Sequence, residues 1–166
     1  MKIYIIGPAG SGKTTLANKI SEKTGIKSTT LDDIFWSNEE NSFGIKREKE
    51  ERDSIYENVL NNDSWIIEGA YIEWPKKGLY QSDNVIYLNI KESEINKRII
   101  KRFISRKLGI QKSSKKETIK GLRNLIKWNK DQIKDIKVFI DRLENENTKV
   151  IKLNNNIEIS RYLESI

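Results

Sequence analysis

Short apolar runs alternate with amphipathic segments along the chain. Five apolar runs bounded by polar and turn residues predict β-strands, at residues 2–6, 27–31, 64–67, 84–89 and 148–153. The segments between and after them carry apolar residues at helical spacing and predict α-helices, at residues 13–24, 48–60, 94–108, 117–145 and 157–166. Strands that alternate with helices favour a parallel sheet with helices on both faces, in which ligands bind at the carboxyl ends of the strands.

Capping residues and breaks in the pattern suggest where these helices begin and end. Gly25 is in position to end the first helix, and Ser93 is the expected N-cap of the helix that follows it. The longest helix could break at Gly121 or at the polar run 129–132. A short helix is also expected to begin at Ile34.

The most specific motif follows the first predicted strand. Residues 7–14 read Gly-Pro-Ala-Gly-Ser-Gly-Lys-Thr and fit the phosphate-binding pattern G-x-x-x-x-G-K-[S/T], directly before a predicted helix. Glycines let backbone N–H groups turn toward a polyphosphate, and the helix directs its positive end at the same anion. The predicted nucleotide contacts are Gly7, Ala9, Gly10, Ser11, Gly12, Lys13, Thr14 and Thr15. The alternative is a glycine-rich turn that holds no ligand.

Composition narrows the chemistry. The 166 residues include no cysteine and no histidine, which excludes disulfides, thiolate nucleophiles, imidazole bases and the usual zinc ligands. Carboxylates, hydroxyls, cations and an oxygen-bound metal remain, and these are the groups that phosphoryl transfer requires. The length favours one domain, and no apolar stretch is long enough for a signal peptide or a membrane span, so a cytoplasmic location is expected.

The net charge of +7 is concentrated in the second half of the chain. Residues 1–90 hold 11 Lys and Arg against 14 Asp and Glu, whereas residues 91–166 hold 20 against 10. Residues 97–130 carry 13 basic side chains and one acid, Glu117. This segment could attract nucleotides, and it also supports an alternative function, nucleic-acid binding with ATP as a switch or without ATP.

Carboxylates stand at the ends of two predicted strands. Asp32 and Asp33 follow the second strand, where a carboxylate can orient an acceptor hydroxyl and take its proton. The alternative is that Asp32 caps the short helix from Ile34 while Asp33 is solvated. Glu68 ends the third strand and is the predicted partner of Thr14 at a Mg²⁺ site, the alternative being a solvent-facing glutamate.

Three arginines form one row on the predicted helix 94–108. Arg98, Arg102 and Arg106 are spaced at i, i+4 and i+8, and guanidinium groups suit a phosphoryl group in transfer. A solvated helix face is the alternative. The polar stretch 109–116 beside them has little to bury and predicts a mobile flap.

Aromatic residues give a weaker signal. Tyr71, Trp36 and Trp74 lie in predicted loops at the ligand edge and suit an acceptor pocket, whereas Trp65 and Trp128 are expected in the core.

Four segments together resemble a known group of proteins. GPAGSGKTTLA, LDDIFW, WIIEGAY and residues 98–106 are similar to the small adenylate-kinase-related P-loop proteins of the DNA-topology-modulation (FlaR-related) family, over most of residues 1–130. The resemblance implies a three-layer α/β P-loop NTPase fold of the nucleoside monophosphate kinase type, with a five-stranded parallel sheet in order 2-3-1-4-5. It also implies one domain over residues 1–166, with an acceptor-binding segment near 33–62 and a basic lid near 106–120.

The resemblance implies an ATP- and Mg²⁺-dependent phosphotransferase acting on a nucleotide or another small molecule, with no membrane partner. The expected catalytic residues are Lys13, Asp33, Arg98, Arg102 and Arg106, and the expected metal ligands are Thr14 and Glu68. The chain departs from adenylate kinases where Ala70-Tyr71-Ile72 replaces a phenylalanine, proline and arginine. It also departs where lysines 130, 134 and 137 replace expected arginines, so the acceptor remains open.

Overall fold

A computed structural model of the protein describes residues 1–37, 44–110, 118–146 and 148–166. These residues form a five-stranded parallel sheet from β1 Lys2–Ile6, β2 Ser28–Thr30, β3 Trp65–Gly69, β4 Asn84–Leu88 and β5 Val150–Leu153. The strand order is β2-β3-β1-β4-β5, so the predicted topology is confirmed. All five predicted strands are present, with ends that differ by at most two residues.

Helices cover both faces of the sheet. They are α1 Lys13–Thr24, α2 Leu31–Phe35, α3 Lys49–Leu60, α4 Lys76–Gln81, α5 Glu92–Lys107, α6 Ile119–Asn145 and α7 Asn156–Glu164. The predicted long helix is present as α6, and the break considered at Gly121 or at residues 129–132 does not occur. The short helix α4 was not predicted, because its six residues carry no clear apolar period.

Two helix starts differ from their predicted positions. Helix α5 begins at Glu92, after an N-cap Lys91 that makes no side-chain cap, so Ser93 lies inside the first turn instead of capping it. Two glutamates in that turn complement the positive end of the helix dipole. Helix α2 begins at Leu31 and not at Ile34, because Thr30 accepts a hydrogen bond from the backbone N–H of Asp32.

Alternating side chains of the central strand β1 contribute to two separate cores. Tyr4 and Ile6 pack in the core under α2, α3, α4 and α6, while Ile3 and Ile5 pack in the core under α1 and α5. Both faces of β1 are therefore buried, as expected for the middle of a parallel sheet. Trp65 is buried as predicted, but Trp128 is 52% exposed, so its predicted place in the core is wrong.

Strand register brings three chain segments to one edge of the sheet. Ile6 pairs with Gly69 between β1 and β3, and Thr30 pairs with Glu68 between β2 and β3. The phosphate-binding loop, Glu68 and the start of α2 therefore lie side by side at the carboxyl ends of the strands.

Parts of two sequence predictions lie outside the described residues. The flap at 109–116 and the lid near 106–120 fall largely on residues 111–117, and the acceptor-binding segment near 33–62 includes residues 38–43. Of the helices that the structure describes, none has the length and apolar composition to cross a membrane.

The contribution of α6 to the core can be tested by two substitutions two residues apart. Ile140 is fully buried, whereas Val138 is 62% exposed on the same helix. We expect Ile140→Ala to lower the free energy of unfolding by about 2–5 kcal/mol, through lost transfer energy and a cavity. Val138→Ala should change it by less than about 0.5 kcal/mol. Urea denaturation measures both, and equal losses would contradict the assigned packing of α6.

Candidate active site

The loop between β1 and α1 has the backbone conformation of an anion cradle. Gly10 and Gly12 have φ angles of +81° and +103°, in the left-handed region that favours glycine. A Cβ at Gly10 would also lie 2.9 Å from Ile99 Cγ1, so α5 packs tightly against the loop. No side chain caps the first turn of α1, and that turn holds no acidic residue. Its N–H groups and its dipole thus favour an anion at this point.

Lys13 lies over this loop. Its ammonium donates a hydrogen bond to Pro8 O at 3.1 Å. Burial lowers the pKa of the Lys13 ammonium, and the nearby Arg102 acts in the same direction. The carboxylates of Glu68 and Asp32 act in the opposite direction and raise that pKa. A polyphosphate in the loop would add further negative charge and favour the charged form of the lysine.

The structure brings the two predicted metal ligands into contact. Thr14 Oγ1 donates a hydrogen bond to Glu68 Oε1 at 2.7 Å. Glu68 is only 4% exposed, so the alternative of a solvent-facing strand end is wrong. A hydroxyl and a carboxylate are oxygen ligands of the kind Mg²⁺ takes, and the described residues contain no group of three or more acidic side chains that could hold a metal by themselves. Phosphate oxygens and water would therefore have to complete the coordination shell.

Asp32 and Asp33 lie at the start of α2, beside Glu68. Thr30 caps this helix, so the alternative cap role of Asp32 is wrong. Instead, Asp32 Oδ1 accepts a hydrogen bond from the Tyr71 hydroxyl at 2.9 Å. Asp33 is exposed to solvent, as that alternative had it. Partial burial still raises the pKa of its carboxyl, and the neighbouring Asp32 carboxylate raises it further.

Gly69 fixes the spacing between this carboxylate pair and Glu68. A Cβ at position 69 would lie 2.6 Å from Leu31 Cδ1 and 2.8 Å from Leu31 Cβ, closer than real contacts allow. The missing side chain therefore lets α2 pack directly on the end of β3. The Leu31 side chain occupies the space that a Cβ at position 69 would need.

The arginine row reaches the loop at one end. Arg98 Nη1 donates to Ser11 O at 2.8 Å, and Arg98 Nη2 donates to Asn156 Oδ1 at 3.0 Å, so this guanidinium joins the loop to α7. Arg102 is close enough to Lys13 to lower its pKa. Arg106 follows one turn further along α5, toward the segment predicted as a lid.

Asn129 is a site residue that sequence reasoning missed. It is 1% exposed in the middle of α6, and it makes two hydrogen bonds with Ala9 of the loop. Ala9 N donates to Asn129 Oδ1 at 2.9 Å, and Asn129 Nδ2 donates to Ala9 O at 2.9 Å. The Ala9 N–H group, predicted to face phosphate, thus already donates within the protein. The only signal was an asparagine at the start of the polar run 129–132, and the sequence pattern treated that run as a possible helix break.

A cleft of about 550 Å³ lies between α6 and the loop that follows β3. Its wall from the loop includes Tyr71 and Trp74, two of the aromatic residues predicted for an acceptor pocket. Trp36, the third, does not line the cleft, but it packs edge-on against Phe35, which in turn stacks on Tyr71. The wall from α6 includes Trp128, Asp131, Gln132, Asp135 and Arg142.

Two hydrogen bonds connect the wall of this cleft to the strand ends, although Glu68, Asp32 and Asp33 do not line it. Tyr71 lines the cleft and donates to Asp32. Gln132 Nε2 donates to Ala70 O at 3.4 Å, two residues beyond Glu68.

Comparison with known proteins gives one partial sequence match. Over 41 residues the chain is 46% identical to the adenylate kinase of Mycolicibacterium paratuberculosis (strain ATCC BAA-968 / K-10). The match covers 25% of this chain and 23% of the length of that enzyme. No protein-family model matches the chain.

Solved structures resemble the whole fold. Shikimate kinase from Bacteroides thetaiotaomicron superposes with a TM-score of 0.58 at 14% identity, over 99% of this chain and 95% of that one. A sugar kinase from Janibacter sp. HTCC2649 gives 0.56 at 18% identity, over 98% and 92%. The predicted α/β P-loop fold of the nucleoside monophosphate kinase type is confirmed. The resemblance to P-loop kinases is supported, while membership of the DNA-topology-modulation family stays a prediction.

The raised pKa of Asp33 provides a test of the carboxylate pair. Removing the charge of Asp32 by Asp32→Asn should lower the pKa of Asp33 toward the ordinary carboxyl range, while the part caused by burial remains. Carboxyl ¹³C NMR over a pH titration measures this shift. Asp63→Asn, at an exposed position beyond α3, is the control and should leave the Asp33 midpoint unchanged. An unchanged midpoint in Asp32→Asn would show that the two carboxylates do not interact.

Proposed function

We propose that this protein is an ATP- and Mg²⁺-dependent kinase that transfers the γ-phosphoryl group to a small-molecule acceptor. The observation that carries the proposal is the contact of Thr14 with Glu68, directly beside Lys13 and the glycine-rich loop. The partial adenylate kinase match and the kinase folds of the structural neighbours support the same class of reaction.

In the proposed complex the triphosphate lies in the loop. Backbone N–H groups of Gly10, Gly12, Lys13, Thr14 and Thr15 and the positive end of α1 would hold the phosphate oxygens, while the Ala9 N–H stays bonded to Asn129. Lys13 would exchange its bond to Pro8 O for the β- and γ-phosphates. Burial disfavours the charged form of Lys13. Phosphate oxygens beside the ammonium would stabilise that charged form.

Thr14 and Glu68 are the residues that would hold Mg²⁺. When bound, this ion would neutralise negative charge that develops on phosphate oxygens during transfer. The hydrogen bond between the two side chains keeps both oxygens at one place before the ion arrives. Little rearrangement is therefore needed on binding.

Asp33 is the proposed base. The acceptor oxygen forms a bond to the γ-phosphorus, the bond from that phosphorus to the β-bridging oxygen breaks, and ADP leaves with the electron pair. The proton of the acceptor hydroxyl passes to Asp33. A raised pKa makes Asp33 a better proton acceptor than an ordinary aspartate.

The arginine row would neutralise the group in transfer. Arg102 contributes to the lowered pKa of Lys13, and Arg98 stabilises the loop through Ser11 O. Arg106 and the proposed lid near 106–120 would close over the site and exclude water.

The cleft along α6 is the proposed acceptor site. Three carboxylates line it, Glu73, Asp131 and Asp135, against one cation, Arg142. Such a lining disfavours a phosphorylated acceptor, because like charges would meet at close range. The aromatic walls of Tyr71, Trp74 and Trp128 suit a ring or an apolar surface. We therefore expect a hydroxyl compound without a phosphate group to be preferred over a nucleoside monophosphate.

An ADP-release screen tests the proposed reaction. Nucleosides, sugars and other hydroxyl compounds are compared with nucleoside monophosphates, with background ATP hydrolysis subtracted. Lys13→Ala should lower acceptor-dependent ADP release at least about 100-fold, because a cation on the transferring phosphoryl group is lost. Lys19→Ala, exposed on the same helix, is the matched control and should keep the parental rate.

Two results would count against this proposal. Transfer of labelled γ-phosphate by Lys13→Ala at the parental rate would remove the catalytic assignment. Duplex DNA binding that weakens steeply with salt, without acceptor-dependent ADP release, would favour the nucleic-acid-binding alternative.

The proposed Mg²⁺ site makes a separate prediction. Glu68→Gln keeps an oxygen beside Thr14 but removes the negative charge, so the Mg²⁺ concentration for half-maximal activity should rise about 10-fold. Titration of the reaction rate with Mg²⁺ at saturating ATP measures this. Glu22→Gln, exposed on α1, removes the same charge away from the site and should leave the titration unchanged. An unaltered Mg²⁺ requirement in Glu68→Gln would show that Glu68 does not serve the metal.

A further inference from the structure

Asn129 joins the longest helix to the phosphate-binding loop. Its side-chain amide pairs with both backbone polar groups of Ala9, at 2.9 Å each, across 120 residues of sequence. The contact is buried, since Asn129 is 1% exposed. A buried polar side chain in a helix that otherwise packs by apolar residues costs desolvation, and here both of its polar atoms are matched.

The bonds to Ala9 act on the conformation of the loop. Ala9 precedes Gly10, whose positive φ turns the chain so that the following N–H groups can face an anion. Because the N–H and C=O groups of Ala9 are both bonded to Asn129, the peptide planes on either side of this residue cannot rotate without breaking a buried hydrogen bond. The loop is therefore held at Ala9 by Asn129, in addition to Arg98, which bonds Ser11 O.

The same turn of α6 also contacts the end of β3. Gln132, three residues after Asn129, donates to Ala70 O, two residues beyond Glu68. One turn of helix thus contacts both the loop that would hold the triphosphate and the strand end that carries the carboxylate at the proposed metal site.

We propose that Asn129 is a positioning residue for the triphosphate site, which keeps the loop in the conformation that binds nucleotide. This inference rests on the proposed function, because it assumes that the loop binds ATP. Asn129 touches no phosphate itself and acts through Ala9. A residue that only stabilises the fold would not have this effect on binding. Substitution of Asn129 should weaken nucleotide binding more than a substitution elsewhere that lowers the stability by the same amount.

Calorimetric titration with MgATP tests the inference. Asn129→Leu is close to isosteric but removes both hydrogen bonds, so the Kd for MgATP should rise about 10-fold or more. The same rise is expected with inorganic tripolyphosphate and Mg²⁺, because the affected contacts are to phosphate and not to the nucleoside. Ile140→Ala is the stability control: it removes buried contacts on the same helix, away from the loop, and should keep the parental Kd at a temperature where it is folded.

A second variant keeps the test decisive if Asn129→Leu does not fold. Asn129→Asp retains an acceptor for Ala9 N–H but places an oxygen against Ala9 O, so its Kd should also rise. Parental affinity in a folded Asn129 variant, or an equal loss in Ile140→Ala, would overturn the inference. Failure of the parental protein to bind MgATP would instead overturn the proposed function.

Discussion

The ligand edge of this protein depends on the parallel register of β1 with β3, which pairs Ile6 with Gly69. Strand β1 runs directly into the glycine-rich loop, and β3 ends in Glu68, so this pairing places a carboxylate beside the first turn of α1. A slip of one residue would turn Glu68 to the other face of the sheet and separate it from Thr14. The strong burial of both strands, with side chains packed on both faces, stabilises this register.

Charges of both signs are interleaved around the loop. Lys13 lies near Glu68, Asp32 and Arg102, and its lowered pKa reflects burial first and then these neighbours. The charge of Lys13 is therefore partly balanced within the protein. If the loop binds phosphate as proposed, ligand oxygens would take the place of these internal partners.

Local sequence patterns were sufficient for the strands, the loop and the pairing of Thr14 with Glu68, whereas the strand order followed from the family resemblance. Apolar runs mark strands regardless of what packs on them, and parallel strands bring their carboxyl ends to one edge. Asn129 could not be predicted in this way, because its partner is 120 residues away and an asparagine has a low helix propensity wherever it occurs. Trp128 was assigned to the core by residue type alone, although the structure places it on the wall of a cleft. The helix start at Glu92 was missed because acidic residues in the first turn compensate for the absent side-chain cap.

The contact between Leu31 and Gly69 sets the distance from α2 to β3 by direct packing against backbone. The packing of Leu31 on Gly69 therefore sets the position of Asp32 and Asp33 relative to Glu68. The side chains of these three residues take no part in that packing. Trp128, on the α6 wall of the cleft, can then change in size or polarity without altering the gap between α2 and β3. If the cleft binds the acceptor as proposed, substitution at this position would change which compounds fit while the carboxylates at the strand ends keep their places.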